Sequence, residues 1–296
     1  MSKPASAPAK FTTPAASLLL TPSNSTSRPT GLTTTEDKMK NNKSLGQHWL
    51  TDRALLDEIA NLAADTDEKI ATCLEIGPGL GTLTSSLLKN FSKVLAVEFD
   101  SRLANNLPNS FPGKNLTVFN ADFLKFNLEK IAEPYVVAGN IPYYITSPII
   151  EKLLTSKNKP KKIVLLIQKE VAERIATVNS NESVLSLFCK NNAKVSLGPI
   201  ITKDFFTPPP KVDSRVIIFS PLPSPTIDPK IFSLIKAGFS SPRKKLLKNL
   251  SGFKNLSRET LETAFLSLNL DLNSRPSNLS LADWKNLALA LALDLR

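Results

Sequence analysis

Short apolar runs recur along the first two-thirds of the chain, and a stretch of helical periodicity follows each one. The runs 74–76, 94–97, 116–119, 135–138 and 163–167 are too short for buried helices and nearly unbroken by polar residues. Parallel strands covered on both faces read this way. A helix over 52–63, capped by Thr51, precedes the first run. Further helices are expected after the glycine turn at 77–81, after Asp100, after Asp122 and after Asn140, the last opening near Thr146-Ser147-Pro148. Next come a helix from about Lys169, a polar loop at 178–183, a helix around 184–188, and two strands near 193–197 and 216–219. Pro221, Pro223 and Pro225 break the alternation, and beyond them the pattern is helical only, over 229–239, 243–251, 258–268 and 280–292. The order predicts an α/β fold: a doubly wound, seven-stranded, Rossmann-like domain over 39–222, then a small all-α domain over 223–296.

The strand ends carry the candidate chemistry. Leu74-Glu75-Ile76-Gly77-Pro78-Gly79-Leu80-Gly81 passes from strand to helix, and glycines such as Gly77 and Gly79 let a ligand approach the backbone. Its G-x-G-x-G spacing departs from the dinucleotide fingerprint, which makes a pyrophosphate binder the weaker reading. Glu98 closes the second strand, 21 residues after Gly77, where an acid meets ribose hydroxyls in doubly wound folds. Asp122 follows the third strand, placed to accept from an adenine amino group, and Asn140 ends the fourth. Each acid alone reads more readily as a helix cap or a solvated charge. Four successive strand ends bearing Gly, Glu, Asp and Asn point instead to S-adenosyl-L-methionine.

Asn140-Ile141-Pro142-Tyr143 suits one task in particular. An exocyclic amine on a purine is a poor nucleophile, because its lone pair is delocalised into the ring. Acceptors such as the Asn140 side-chain oxygen and the Ile141 carbonyl localise that pair. Pro142 restricts its own φ and biases Ile141 toward extended geometry. Tyr143 provides a stacking face, typically worth ~1–3 kcal/mol per base. The ordinary alternative is a strand-to-helix turn with a surface tyrosine.

Lys43-Ser44-Leu45-Gly46-Gln47-His48-Trp49-Leu50, the glycine turn, Asn140-Ile141-Pro142-Tyr143 and Phe206-Thr207-Pro208-Pro209-Pro210-Lys211-Val212-Asp213-Ser214 together resemble the ribosomal RNA adenine dimethyltransferases. This is the KsgA family, related to the erythromycin-resistance methylases, and the resemblance covers about residues 40–285. It implies a methyltransferase domain that uses S-adenosyl-L-methionine to dimethylate N6 of adjacent adenines near the 3′ end of small-subunit ribosomal RNA. It also implies action on a pre-ribosomal particle and a role in small-subunit biogenesis; a monomer is expected, the two cysteines fit a reducing cytoplasm, and no run of 18 apolar residues offers a membrane span. By the same resemblance, cofactor contacts fall on His48, Leu50, Gly77, Glu98, Asp122 and Asn140, and the target base lies between Tyr143 and Phe206. His48-Trp49 stands where the family usually has Asn-Phe. The loop after Ile175 lacks the family's Tyr-Gly, and the later Arg-rich stretch becomes 239–245. Arg275-Pro276-Ser277-Asn278-Leu279-Ser280 resembles the assembly enzyme and weighs against a large-subunit resistance methylase. A ribosome-binding or transcription factor on the same scaffold is the alternative from outside enzymology.

Charge adds a second surface. The chain has 37 basic and 26 acidic residues, a net charge of +11, as expected of a protein that neutralises phosphates. Between 236 and 254 there are basic residues and no acid, and Arg243, Lys244, Lys245 and Lys248 are expected on one face of an amphipathic helix as RNA contacts. Lys157, Lys159, Lys161 and Lys162 form a second basic group before a strand. Cys73 and Cys189 lack metal-ligand spacing, and His48 is the only histidine, so no metal site is expected. In residues 1–38, Ser, Thr and Pro make up 19 of 38, and no acid precedes Glu36. That composition predicts a disordered extension. It is read as a dispensable tail, an upstream start before Met39, or a transit peptide that would direct the protein to an organelle.

Overall fold

The computed structural model describes residues 47–132, 134–177, 181–228 and 230–291, all within the unit Met39–Arg296. The expected extension over 1–38 and part of the polar loop after Ile175 lie outside the described residues. The strands are β1 (Trp49–Leu50), β2 (Thr72–Ile76), β3 (Lys93–Glu98), β4 (Leu116–Asn120), β5 (Tyr135–Asn140), β6 (Lys162–Gln168), β7 (Ala193–Ile201), β8 (Phe206–Thr207) and β9 (Ser214–Pro221). The helices are α1 (Arg53–Ala64), α2 (Thr82–Asn90), α3 (Ser101–Asn106), α4 (Thr146–Thr155), α5 (Lys169–Ala176), α6 (Val184–Asn192), α7 (Ile231–Gly238), α8 (Leu246–Leu250), α9 (Arg258–Ser267) and α10 (Leu281–Ala290).

Seven strands form one sheet in the order β4-β3-β2-β5-β6-β9-β7. β4 to β6 are parallel, whereas β9 runs antiparallel to both β6 and β7. The doubly wound seven-stranded fold expected from the apolar pattern is the one observed, with a helical C-terminal region. Alternate residues of each central strand enter opposite cores. Leu74, Ile76, Leu95, Val97 and Val137 pack on one face. Cys73, Val94, Val136 and Ala138 pack on the other. Burial on both faces is why these strands lack a polar alternation. Strand order reverses at β2, which lies between β3 and β5, and open α/β sheets bind ligands in the crevice at such a reversal.

A third apolar cluster gathers α7 to α10 around Trp284 and includes Leu187 of α6. The carbonyl of Ser277 accepts from the backbone N–H groups of Asn181 and Glu182, at 2.9 and 3.0 Å. The helical region thus packs on a helix of the sheet's own unit.

Three local expectations change. The cap of α1 is Asp52, whose carboxylate accepts from Leu55 N at 2.9 Å, in place of Thr51. No α-helix follows Asp122. Lys152 Nζ donates to the carbonyls of Leu124 and Phe126, at 2.8 and 2.6 Å, and Asn158 Nδ2 to those of Leu128 and Ile131, at 2.9 and 2.8 Å. Carbonyls that a helical ladder would use are thereby occupied, and only a single turn closing on the Asp122 carbonyl and a 3-10 turn at Leu128–Lys130 form. Finally, α8 begins at Leu246 because Lys245 is extended (φ −60°, ψ 141°). Arg243, Lys244 and Lys245 therefore precede the helix and do not share a helical face with Lys248.

Candidate functional site

The register aligns the carboxyl ends of the central strands, pairing Ile76 with Val97 and Glu98 with Asn120. The loops leaving those ends surround a cleft of about 300 Å³, within the range of small-molecule sites. His48, Leu50, Gly77, Gly79, Glu98, Asp122, Asn140, Ile141, Pro142 and Tyr143 all line it.

The glycine loop and Glu98 form one unit. Gly77 and Gly79 have φ of +63° and +57°, left-handed values that a side chain strains. A Cβ on Gly79 would come within 3.0 Å of Trp49 Nε1, whereas one on Gly77 would meet no protein atom within 4 Å. Gly77 thus leaves space on the cleft side of the loop. Glu98 is 6 % exposed. Its Oε2 accepts from Gly79 N at 3.0 Å and its Oε1 from Asp100 N at 2.9 Å. Each oxygen keeps acceptor capacity for hydroxyl groups in the cleft. Burial raises the Glu98 carboxyl above its ordinary range, against those backbone hydrogen bonds. Beneath the loop lies Glu75, which also lines the cleft and accepts from the Thr84 hydroxyl at 2.6 Å. Burial, reinforced by repulsion from Glu98, pushes Glu75 up to about 8. Asp122 divides its carboxylate, with Oδ1 accepting from Leu124 N at 2.9 Å.

On the other side of the cleft, Asn140 Nδ2 donates to the backbone carbonyl of His48 at 2.9 Å. A carbonyl can only accept, so the amide orientation is decided and Oδ1 is the atom left to accept from a ligand. The ring of His48 is held as well: Nδ1 donates to the Pro208 carbonyl at 2.7 Å. That ring lies 6.3 Å from the ring of Tyr143, with the two planes 23° apart. Tyr143 is anchored by a 2.8 Å hydrogen bond between its hydroxyl and Ser214 Oγ. Burial raises the Tyr143 phenol, partly offset by Ser214. Pro142, at φ −59° and ψ 135°, starts the 3-10 turn Tyr143–Ile145.

Phe206 is not brought to the cleft. β1 and β8 pair Leu50 with Phe206, and the Phe206 ring is 3 % exposed inside the core that Leu50 joins. Of the expected base sandwich, only the Tyr143 ring faces the cleft in this structure. Arg243, Lys244, Lys245 and Lys248 are exposed and lie outside the cleft lining. The second basic group sits at the amino end of β6, the far edge of the sheet. There Lys162 pairs with Asp65 at 3.5 Å, Lys161 with Glu68 at 4.0 Å, and Lys159 Nζ donates to the Leu222 carbonyl at 3.0 Å. Among the described residues no three His, Cys, Asp or Glu side chains gather as a metal site, and no helix is long and apolar enough to cross a membrane. Both cysteines are buried free thiols. Cleft residues that sequence reasoning missed include Phe99, Leu124 and Tyr144. Phe99 and Leu124 lie one and two positions beyond Glu98 and Asp122, and Tyr144 directly follows Tyr143.

Residues 38–292 match the family model described as ribosomal RNA adenine dimethylase. The chain is 35% identical over 263 residues to a ribosomal RNA small subunit methyltransferase A from Dehalococcoides mccartyi (strain CBDB1), covering 86% of this chain and 89% of the relative. Its fold is similar to that of a dimethyladenosine transferase from Plasmodium falciparum, with a TM-score of 0.69, 29% identity, and coverage of 83% and 98% of the two chains. It is also similar to the 23S rRNA methyltransferase ErmE, with a TM-score of 0.67, 25% identity, and coverage of 82% and 99%. Sequence and fold agree: the chain belongs to the ribosomal RNA adenine dimethylase family, a family of methyltransferases.

Proposed function

We propose that the protein transfers methyl groups from S-adenosyl-L-methionine to N6 of adjacent adenines near the 3′ end of small-subunit ribosomal RNA, during assembly of the particle. The observation that carries this reading is the Asn140 amide, whose nitrogen is committed to the His48 carbonyl, leaving its oxygen to accept from an adenine amine. S-adenosyl-L-methionine supplies the electrophilic methyl carbon, on a sulfonium. Glu98 accepts from ribose hydroxyls, Asp122 from the adenine end of the cofactor, and Gly77 and Gly79 let the cofactor lie close to the backbone. His48 and Leu50 border its methionine end. Tyr143 stacks the target base and fixes the angle at which the amine meets the methyl group. Localising the amine lone pair is where Asn140 and the Ile141 carbonyl act. Their attraction grows as N6 becomes positive, and N6 releases its proton after attack, so no strong base is needed.

Arg243, Lys244, Lys245 and Lys248 hold the RNA backbone away from the cleft, and residues 223–296 serve as a docking domain for the particle. The reading places the protein where small subunits are assembled, in the cytoplasm, or in an organelle if residues 1–38 act as a transit peptide. It is tested by tritiated methyl transfer to unmethylated small-subunit particles, naked RNA and large subunits. Label confined to dimethyladenine in small-subunit particles is expected. Label in large subunits would make the protein a large-subunit methylase, and stable particle binding without label would make it a binding factor.

A further inference from the structure

Seven large apolar side chains are conspicuously exposed among the described residues, and five of them lie at one edge of the sheet. Leu80, Phe99, Leu124 and Tyr144 leave the carboxyl ends of β2 to β5 in turn. Val212 precedes β9, whose first residue, Ser214, pairs with Gln168 at the carboxyl end of β6. Single exposed apolar residues need no explanation, but a row of them along the sheet edge that holds the cleft, three of them lining it, does.

Tyr144 stands out within this row. It is 64 % exposed and follows Tyr143 in the 3-10 turn. Successive side chains of such a turn point about 120° apart. With Tyr143 tied to Ser214, the Tyr144 ring is directed to the rim while still bordering the cleft.

A base taken into the cleft leaves its strand neighbours with one stacking face uncovered, a cost of base flipping that an enzyme must offset. We propose that Tyr144 is the platform on which the nucleotide next to the target adenine stacks, an RNA-binding contact that holds the strand beside the flipped base. The inference rests on the proposed small-subunit activity. RNA is favoured over a protein partner because the row continues the cleft and the chain carries a net charge of +11. An aromatic face also serves any base without hydrogen-bond readout. Methylating N6 leaves the π-face of adenine available, so a modified adenine occupies the platform as readily as an unmodified one.

The test compares wild type with Tyr144→Ala, Tyr144→Phe and Tyr144→Trp. The substrates are small-subunit particles reconstituted with intact rRNA or with rRNA that is abasic next to the target adenine. Tyr144→Ala is expected to raise KM for intact particles by roughly 5- to 150-fold, the range for one base–aromatic stack. Cofactor affinity and melting temperature should stay at wild-type values, and Tyr144→Phe and Tyr144→Trp should restore KM. On abasic particles wild type should fall to the level of Tyr144→Ala, which itself should lose nothing further. An unchanged KM for Tyr144→Ala, or an equal penalty on intact and abasic particles, overturns the proposal. Wild type that labels no small-subunit particle at all overturns instead the activity on which it rests.

Discussion

The two ends of the parallel strands in the sheet use polar residues in opposite ways. At the amino edge, charges meet one another: Lys162 pairs with Asp65, Lys161 with Glu68, and Lys159 closes on a backbone carbonyl. At the carboxyl edge, three side chains of the cleft are held by the backbone and not by opposite charges. Glu98 is fixed by two N–H groups, Asp122 by one, and Asn140 by a carbonyl. A group held by the backbone has a set direction and keeps capacity for a ligand, whereas an ion pair uses its charges on itself. The type of partner, more than the density of charge, separates a site from a solvated surface here.

The sharpest break would come from Asn140→Ala, which removes the side-chain acceptor oriented by the His48 carbonyl. Turnover on small-subunit particles should drop by at least ~10²-fold, a typical loss for one preorganised transition-state hydrogen bond. Wild-type turnover in a folded Asn140→Ala protein would end the amine-orienting role. Next in size is Glu98→Ala, expected to weaken S-adenosyl-L-methionine binding by roughly 1.5–3 kcal/mol, the range for hydrogen bonds to a charged group. Titration calorimetry reads this directly, and unchanged affinity would remove Glu98 from the site.

Glu75 sharpens the comparison through pH. It lies at the functional edge yet faces no cation, only the Thr84 hydroxyl and the repulsion of Glu98. Its carboxyl is raised in the folded protein to about 8, from 4.5. Between those values the folded chain holds a proton that the unfolded chain has released, so this group makes stability fall as pH rises through the window. Below the window the effect vanishes, and above about 8 it is complete. Glu75→Gln keeps an acceptor for Thr84 and cannot ionise. Melting temperatures should therefore match wild type near pH 4.5 and exceed it by several degrees above pH 8. Parallel melting curves across the series would show that Glu75 is charged throughout.

Much of this was legible in the chain because burial on both faces leaves a plain mark, the unbroken apolar strand. Residues at or just past the end of such a strand lie at the sheet's carboxyl edge, and the sequence alone therefore groups Gly77, Glu98, Asp122 and Asn140. What stayed hidden depends on distant partners. Nothing near Asp122 reveals that Lys152 and Asn158, on a later helix and loop, take the carbonyls a helix would need. Phe206 reads as a free aromatic beside prolines, and only its pairing with Leu50 draws the ring inward. Tyr144 is one residue from a recognised motif, but its outward direction follows from the 3-10 turn and from Ser214, 70 positions away.

The smallest effect belongs to the amino edge and is the strictest check on the comparison. Lys161 and Glu68 are both more than half exposed and 4.0 Å apart. Such surface pairs contribute about 0–1 kcal/mol, so Lys161→Ala should barely change the melting temperature. Methyl transfer and its salt dependence should also stay as in wild type, since a lysine at the amino end of β6 lies across the sheet from the cleft. Neutralising Lys161 would have a different signature if RNA wrapped around the sheet to reach it. Particle affinity would then fall, and the slope of log affinity against log salt would flatten by about 0.7–0.9, as for one lost phosphate contact. Binding measured at several salt concentrations separates the two. A flattened slope would mean that pairing with an acid does not withdraw a lysine from RNA, and the division between the two edges would fail at its weakest pair.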